Sequence, residues 1–181
     1  PQSLTVTDGH LLISMPHAGV PLWRYLEYLM LESTKTRQDI SHLMFDIWIQ
    51  LLECVSELHV YLEAAHLALD PSHVMVNPIT KRVSLVGFGQ CQRHIPQFGK
   101  PNSERGPSGY PSPSKVSAFS SPEAFQNVET LWDIKMLKTY DVWSLAVIFH
   151  YMAHASLHGG TEYDYTKGLF SGPSSDSVLH H

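Results

Sequence analysis

At 181 residues with 43% apolar side chains, the chain is long enough for one domain around a real core, which argues against wholesale disorder. A net charge of −5 leaves no electrostatic footprint for nucleic acid or an anionic membrane. Two isolated cysteines, Cys54 and Cys91, form neither a disulfide framework nor a Cys-x-x-Cys motif. No run of about eighteen apolar residues is present, and the N-terminus lacks a charged-then-apolar signal pattern. A soluble chain of the cytoplasm or nucleus is therefore expected.

In chain order, residues 4–7 and 11–14 are β-prone runs separated by Asp8-Gly9, which predicts a hairpin. Residues 15–22 read as a connecting loop. Residues 21–32 read as a helix with Pro21 in its first turn. Its buried face is expected to hold Leu22, Leu26, Leu29 and Met30, with Trp23 and Tyr25 partly outward. After a polar break, Asp39 is the expected N-cap of a long helix over residues 40–62. Leu43, Ile47, Leu51, Val55, Leu58 and Leu62 recur in it every three or four residues. Phe45, Trp48 and Leu52 widen that stripe, so the whole helix is expected in the core.

The centre of the chain is residues 65–76, Ala-His-Leu-Ala-Leu-Asp-Pro-Ser-His-Val-Met-Val, a polar turn running into a short apolar strand. A second strand follows and ends in Gly87-Phe88-Gly89; residues 77–82 between them have hairpin-turn composition. Asp70 before Pro71, with Ser72 next, is the usual chemistry of a tight loop. Residues 90–121 are rich in Pro, Gly and Ser and are expected to be a long mobile loop without regular structure. Within it, Ser112-Pro113 would suit a proline-directed kinase, although an unmodified loop is the simpler expectation. Residues 123–128 are expected as a short helix and residues 139–152 as a second apolar one. His150, His154 and His158 recur at four-residue spacing. Such pairs bind zinc when an acidic ligand joins them, but satisfied or solvated histidines are commoner, and no metal site is assigned.

Taken together, these residues resemble the C-terminal lobe of the protein kinases. His66, Leu69 and Pro71 match the family's loop His-Arg-Asp-Leu-Lys-Pro-x-Asn, and Phe88-Gly89 match its Asp-Phe-Gly. Ser121-Pro122-Glu123 is similar to Ala-Pro-Glu. Asp141-Val142-Trp143-Ser144 is similar to Asp-x-Trp-Ser-x-Gly, with Ala146 in place of glycine. Leu58-His59 resembles the end of the family's long helix, one residue further from His66 than is common. The likeness spans roughly residues 11–152 and implies an α+β, mainly α-helical fold. Residues 1–20 would be the hinge hairpin that ends an N-terminal lobe. Residues 21–155 would be the C-terminal lobe, with a mobile activation-type segment at 90–121, and 156–181 a flexible tail. Ser14, Met15 and His17 would lie at the nucleotide hinge. Phe88, Gly89, Pro122, Glu123, Asp141 and Trp143 would hold the fold, with Asp141 capping the loop backbone.

The residues that carry the family's chemistry are replaced. Alignment on His66 and Pro71 puts Leu67 at the loop Arg, Ala68 at the catalytic Asp and Asp70 at the loop Lys. His73 falls at the magnesium-binding Asn and Gly87 at the magnesium-binding Asp. A methyl group accepts no proton, glycine has no side-chain ligand, and imidazole nitrogen matches magnesium poorly. Asp70 places negative charge where the family has positive. The Gly-rich loop and phosphate-clamping Lys have no counterpart in residues 1–10. The resemblance therefore implies a pseudokinase without ATP or magnesium, acting as a scaffold or allosteric partner. Its expected partners are proteins, an active kinase or a larger assembly, and neither nucleic acid nor membrane. Two alternatives are a divergent active kinase with Asp70 as base, and a structural subunit of a large assembly.

Overall fold

In the computed structural model, which describes residues 3–7, 10–31, 35–93, 117–122 and 134–158, strands β1 (Ser3–Thr7) and β2 (His10–Ser14) pair antiparallel. Thr7 stands opposite His10, the two-residue connection that Asp8-Gly9 predicts. Val20, expected in a loop, and Pro21, expected in the first turn of the helix, instead form β3 (Val20–Pro21). It joins a three-stranded antiparallel sheet whose centre is β5 (Val74–Val76) and whose far strand is β6 (Val83–Leu85). Gly19 lets the chain enter that sheet: its φ is +129°, and a Cβ there would lie 2.3 Å from the Val76 carbonyl oxygen.

Helix α1 (Leu22–Leu31) follows directly, so Pro21 precedes the helix rather than opening it. It buries Leu22, Tyr25, Leu26 and Leu29. Tyr25 was expected partly outward, yet it completes the i, i+3, i+4, i+7 stripe, and Met30 falls to the stripe's half-buried edge. The Lys81 ammonium lies 5.3 Å from the Tyr25 ring centroid.

Helix α2 (Arg37–Val60) starts before the expected residue 40 because its N-cap is Thr36, not Asp39. The Thr36 hydroxyl accepts from the Asp39 N–H at 3.1 Å, and the Asp39 carboxylate accepts from the Thr36 N–H at 3.0 Å. This is a capping box, and those bonds from Thr36 hold the Asp39 carboxyl below its usual range. Thr36→Ala is expected to cost about 1 kcal/mol of stability. A urea midpoint unchanged from wild type would show that the helix starts without this cap.

Along α2, Ile40, Met44, Ile47, Leu51, Val55 and Leu58 are buried. Phe45 and Leu52, expected in the core, are exposed, and Leu62 lies beyond the helix end and is also exposed. The reason is geometric: they lie on the far side of the helix from the packed stripe, where nothing described covers them. Helix α3 (Ile134–His158) is longer than expected. It crosses the anticipated boundary at residue 155, so residues 156–158 belong to the helix. It runs antiparallel to α2, His59 meeting Asp141 and Trp48 meeting Phe149.

Short strands β4 (Ala64–Ala65) and β7 (Gln92–Arg93) pair across the loop, with a 3-10 turn at Phe88–Gln90 between β6 and β7. Regular structure thus reaches into the segment 90–121 that was expected to have none. The rest of that segment up to 116, Ser112 and Pro113 included, lies outside the described residues. So do Glu123, the helix expected at 123–128, and residues 159–181. The described residues form an α+β, mainly helical fold with three helices and small antiparallel sheets. No helix among them is long and apolar enough to cross a membrane.

Candidate functional site

Three elements hold the loop of residues 66–73: the end of α2, the β5–β6 hairpin and the middle of α3. Asp141, on α3 and fully buried, joins the loop to the end of α2. Its Oδ2 accepts from the His66 N–H at 2.7 Å and its Oδ1 from the Leu67 N–H at 2.8 Å. Asp141 thus caps two consecutive backbone N–H groups of the loop. His59 Nε2 adds a third contact, 2.9 Å from Oδ2, and Lys138 Nζ donates to the His59 carbonyl at 2.5 Å. Sequence reasoning assigned His59 no role, since nothing local to residue 59 points to a carboxylate 82 positions away.

His66 is buried between the loop and the hairpin. Its Nε2 donates to the Val86 carbonyl at 2.9 Å, and its Nδ1 accepts from the Ala68 N–H at 3.3 Å. That pairing is satisfied by the neutral ring, and burial pushes the imidazole pKa down in the same direction. Leu67 occupies left-handed backbone at φ +64°, a costly conformation for leucine that the Asp141 bonds hold in place. Its side chain is buried with Ala65, Leu137 and Tyr140. Leu67 is thus an apolar anchor for the loop.

Asp70 does turn chemistry. Its Oδ1 accepts from the Ser72 N–H at 2.7 Å, the Ser72 hydroxyl at 2.5 Å and the His73 N–H at 3.1 Å. Ala68 is half-buried and offers only a methyl group. His73 Nδ1 lies 3.2 Å from Asp70 Oδ1. The other edge of its ring faces Gly87, and a Cβ built on Gly87 would fall 2.1 Å from His73 Cδ2. Gly87 also has φ +81°, a left-handed conformation that suits glycine. One backbone bond holds this pair together: Val86 N–H donates to the His73 carbonyl at 3.0 Å, while the Val86 carbonyl takes the side-chain bond from His66.

Phe88 is half exposed, its ring 4.8 Å from that of His66, and Gly89 is open to solvent. Pro122 ends the short described segment 117–122, which docks on α3. Tyr140 donates to the Ser120 hydroxyl at 2.6 Å, and Phe119 meets Tyr151 edge-on at 6.2 Å. Burial pushes the Tyr140 hydroxyl pKa up. Trp143 is half-buried against the main core. Between α1, the loop and this segment lies a cavity of about 470 Å³ whose walls include Trp23, Glu27, Asp70, Phe119 and Tyr151. Sequence reasoning missed it because its walls come from four distant stretches of chain: α1, the loop, the segment 117–122 and α3.

Ser14, Met15 and His17 are exposed and lie apart from this cavity. The loop's residues do not fit a magnesium–nucleotide group: Gly87 supplies no ligand, and the His73 ring fills the space a side chain there would use. Among the described residues, no three His, Cys, Asp or Glu side chains converge as metal ligands. No protein-family model matches the chain, and the search of curated proteins finds no match.

Proposed function

We propose that the chain is a catalytically inactive, protein-kinase-like lobe that serves as a protein-interaction scaffold or allosteric partner in the cytoplasm or nucleus. The observation that carries this reading is the packing of His73 against Gly87. In the resembled family both positions hold magnesium for the phosphates. Here one is a ring and the other the empty backbone beside it, so restoring a carboxylate at residue 87 would collide with residue 73. The Asp141 bonds support the rest of the reading: the scaffolding contacts of the loop are kept while its reactive groups are gone.

Titration of the protein with millimolar ATP and magnesium, followed by thermal unfolding, is expected to leave the midpoint flat, with no change on adding EDTA. A magnesium-dependent rise of several degrees would overturn the inactive reading. A second reading, a divergent phosphotransferase with Asp70 as base, draws support from Asp70 lining the cavity. It requires phosphotransfer that disappears in Asp70→Ala. The three bonds already made by Asp70 Oδ1 favour the first reading.

A further inference from the structure

Helices α2 and α3 leave their outward seam uncovered by any described residue, and that seam is apolar. On α2, Phe45 is 58% exposed, with Ile49 and Leu52 following it at i+4 and i+7. On α3, Val142 is 56% exposed, with Ala146 and Phe149 at the same offsets. These spacings align each set along one helix face. Trp48 and Phe149 touch across the seam with ring centroids 4.9 Å apart, joining the two rows into one surface. Two exposed apolar rows side by side make a continuous face rather than scattered surface side chains, the kind of face against which an amphipathic helix packs.

Charge selects the occupant. Asp46, Glu53 and Glu57 are exposed at i, i+7 and i+11 along the α2 margin of the apolar row. None makes an ion pair among the described residues, and α2 carries no Lys or Arg after Arg37. Their field reaches inward: after burial itself, the Glu57 and Glu53 carboxylates push up the Cys54 thiol pKa. This acidic margin opposes an anionic lipid surface or nucleic acid. A second copy fits poorly, since its own face offers the same three carboxylates against the exposed Lys135, with Lys138 already donating to the His59 carbonyl. We propose that this face docks an amphipathic helix of a protein partner, apolar on one side and carrying Lys or Arg along one flank. The apolar rows supply affinity and the acidic margin sets orientation.

Two synthetic helical peptides test this, sharing one leucine face and differing only in a flank of Lys or of Glu. Fluorescence anisotropy with the whole chain is expected to show the Lys-flanked peptide binding at least about tenfold tighter, and more weakly as salt rises. Ile49→Lys, at an exposed position, is expected to abolish binding while the thermal midpoint stays unchanged. Glu53→Lys with Glu57→Lys is expected to reverse the preference between peptides. Equal binding of both peptides, binding of neither, or binding that survives Ile49→Lys overturns the proposal. Self-association that Ile49→Lys abolishes also overturns it, assigning the face to a second copy. The ATP titration is independent of all these outcomes.

Discussion

Asp141→Ala is expected to lower the unfolding free energy by about 3–5 kcal/mol, the loss typical when one partner is removed from a buried charged network. The carboxylate is fully buried and receives the His66 N–H, the Leu67 N–H and the His59 ring nitrogen. Alanine leaves both backbone donors in a site that water does not reach, at about 1–3 kcal/mol for each unsatisfied group. It also frees Leu67 from the bond that holds its left-handed backbone. Against a total stability of roughly 5–15 kcal/mol, such a loss is a large fraction of the whole. Asp141→Asn keeps one acceptor oxygen and is expected to lose less, and His59→Ala less again because it removes only the third contact. Urea unfolding of the three variants checks the order. A shift below about 1 kcal/mol for Asp141→Ala would mean that the loop is held by its own turn bonds and by the Leu67 anchor, not by α3.

The local features of this chain were legible because local chemistry decides them. Asp8-Gly9 sets a two-residue connection, and Asn77 begins a turn in which its side chain accepts from the Ile79 and Thr80 N–H groups. The Asp70-Pro71-Ser72 reading as a tight loop holds down to the hydrogen bonds. Misreadings arose wherever two local solutions were close in energy or where packing chose between faces. Thr36 and Asp39 both suit an N-cap, and the reciprocal bonds of the box decide for Thr36. On α2, apolar residues cover more of the circumference than one neighbour can bury. Periodicity alone could not say that Ile47 and Leu51 face the core while Phe45 and Leu52 face out.

The site was legible only residue by residue. The resemblance singled out His73 and Gly87 one at a time, but not that their atoms pack against each other. His73 and Gly87 are fourteen positions apart, one just before β5 and the other just after β6, and only the hairpin register brings the ring against the glycine. The same holds for His59 and Asp141, whose contact depends on how α2 and α3 run past each other. The apolar seam and the loop thus lie on one pair of helices: a partner gripping α2 and α3 would hold the two elements whose contact fixes the loop backbone.

Gly87→Ala is expected to cost about 2–4 kcal/mol, from two separable sources. The first is the left-handed backbone at φ +81°, which costs an L-residue about 1–2 kcal/mol wherever the side chain points. The second is the collision of the new Cβ with the His73 ring, 2.1 Å away at Cδ2 and 2.8 Å at Nε2. His73→Ala removes the ring and therefore only the second source. In the double variant the cost of Gly87→Ala is expected to fall to its backbone part, a coupling of about 1–2 kcal/mol between the two positions. Chemical denaturation of wild type, both single variants and the double variant measures this directly. Additive losses would mean that the ring swings away at no cost, leaving the space beside Gly87 open and removing the main support for the inactive reading. A coupling of the expected size means that the His73 ring has closed the space beside Gly87, as the proposed inactive reading requires. Restoring a carboxylate at residue 87 then requires changing residue 73 as well.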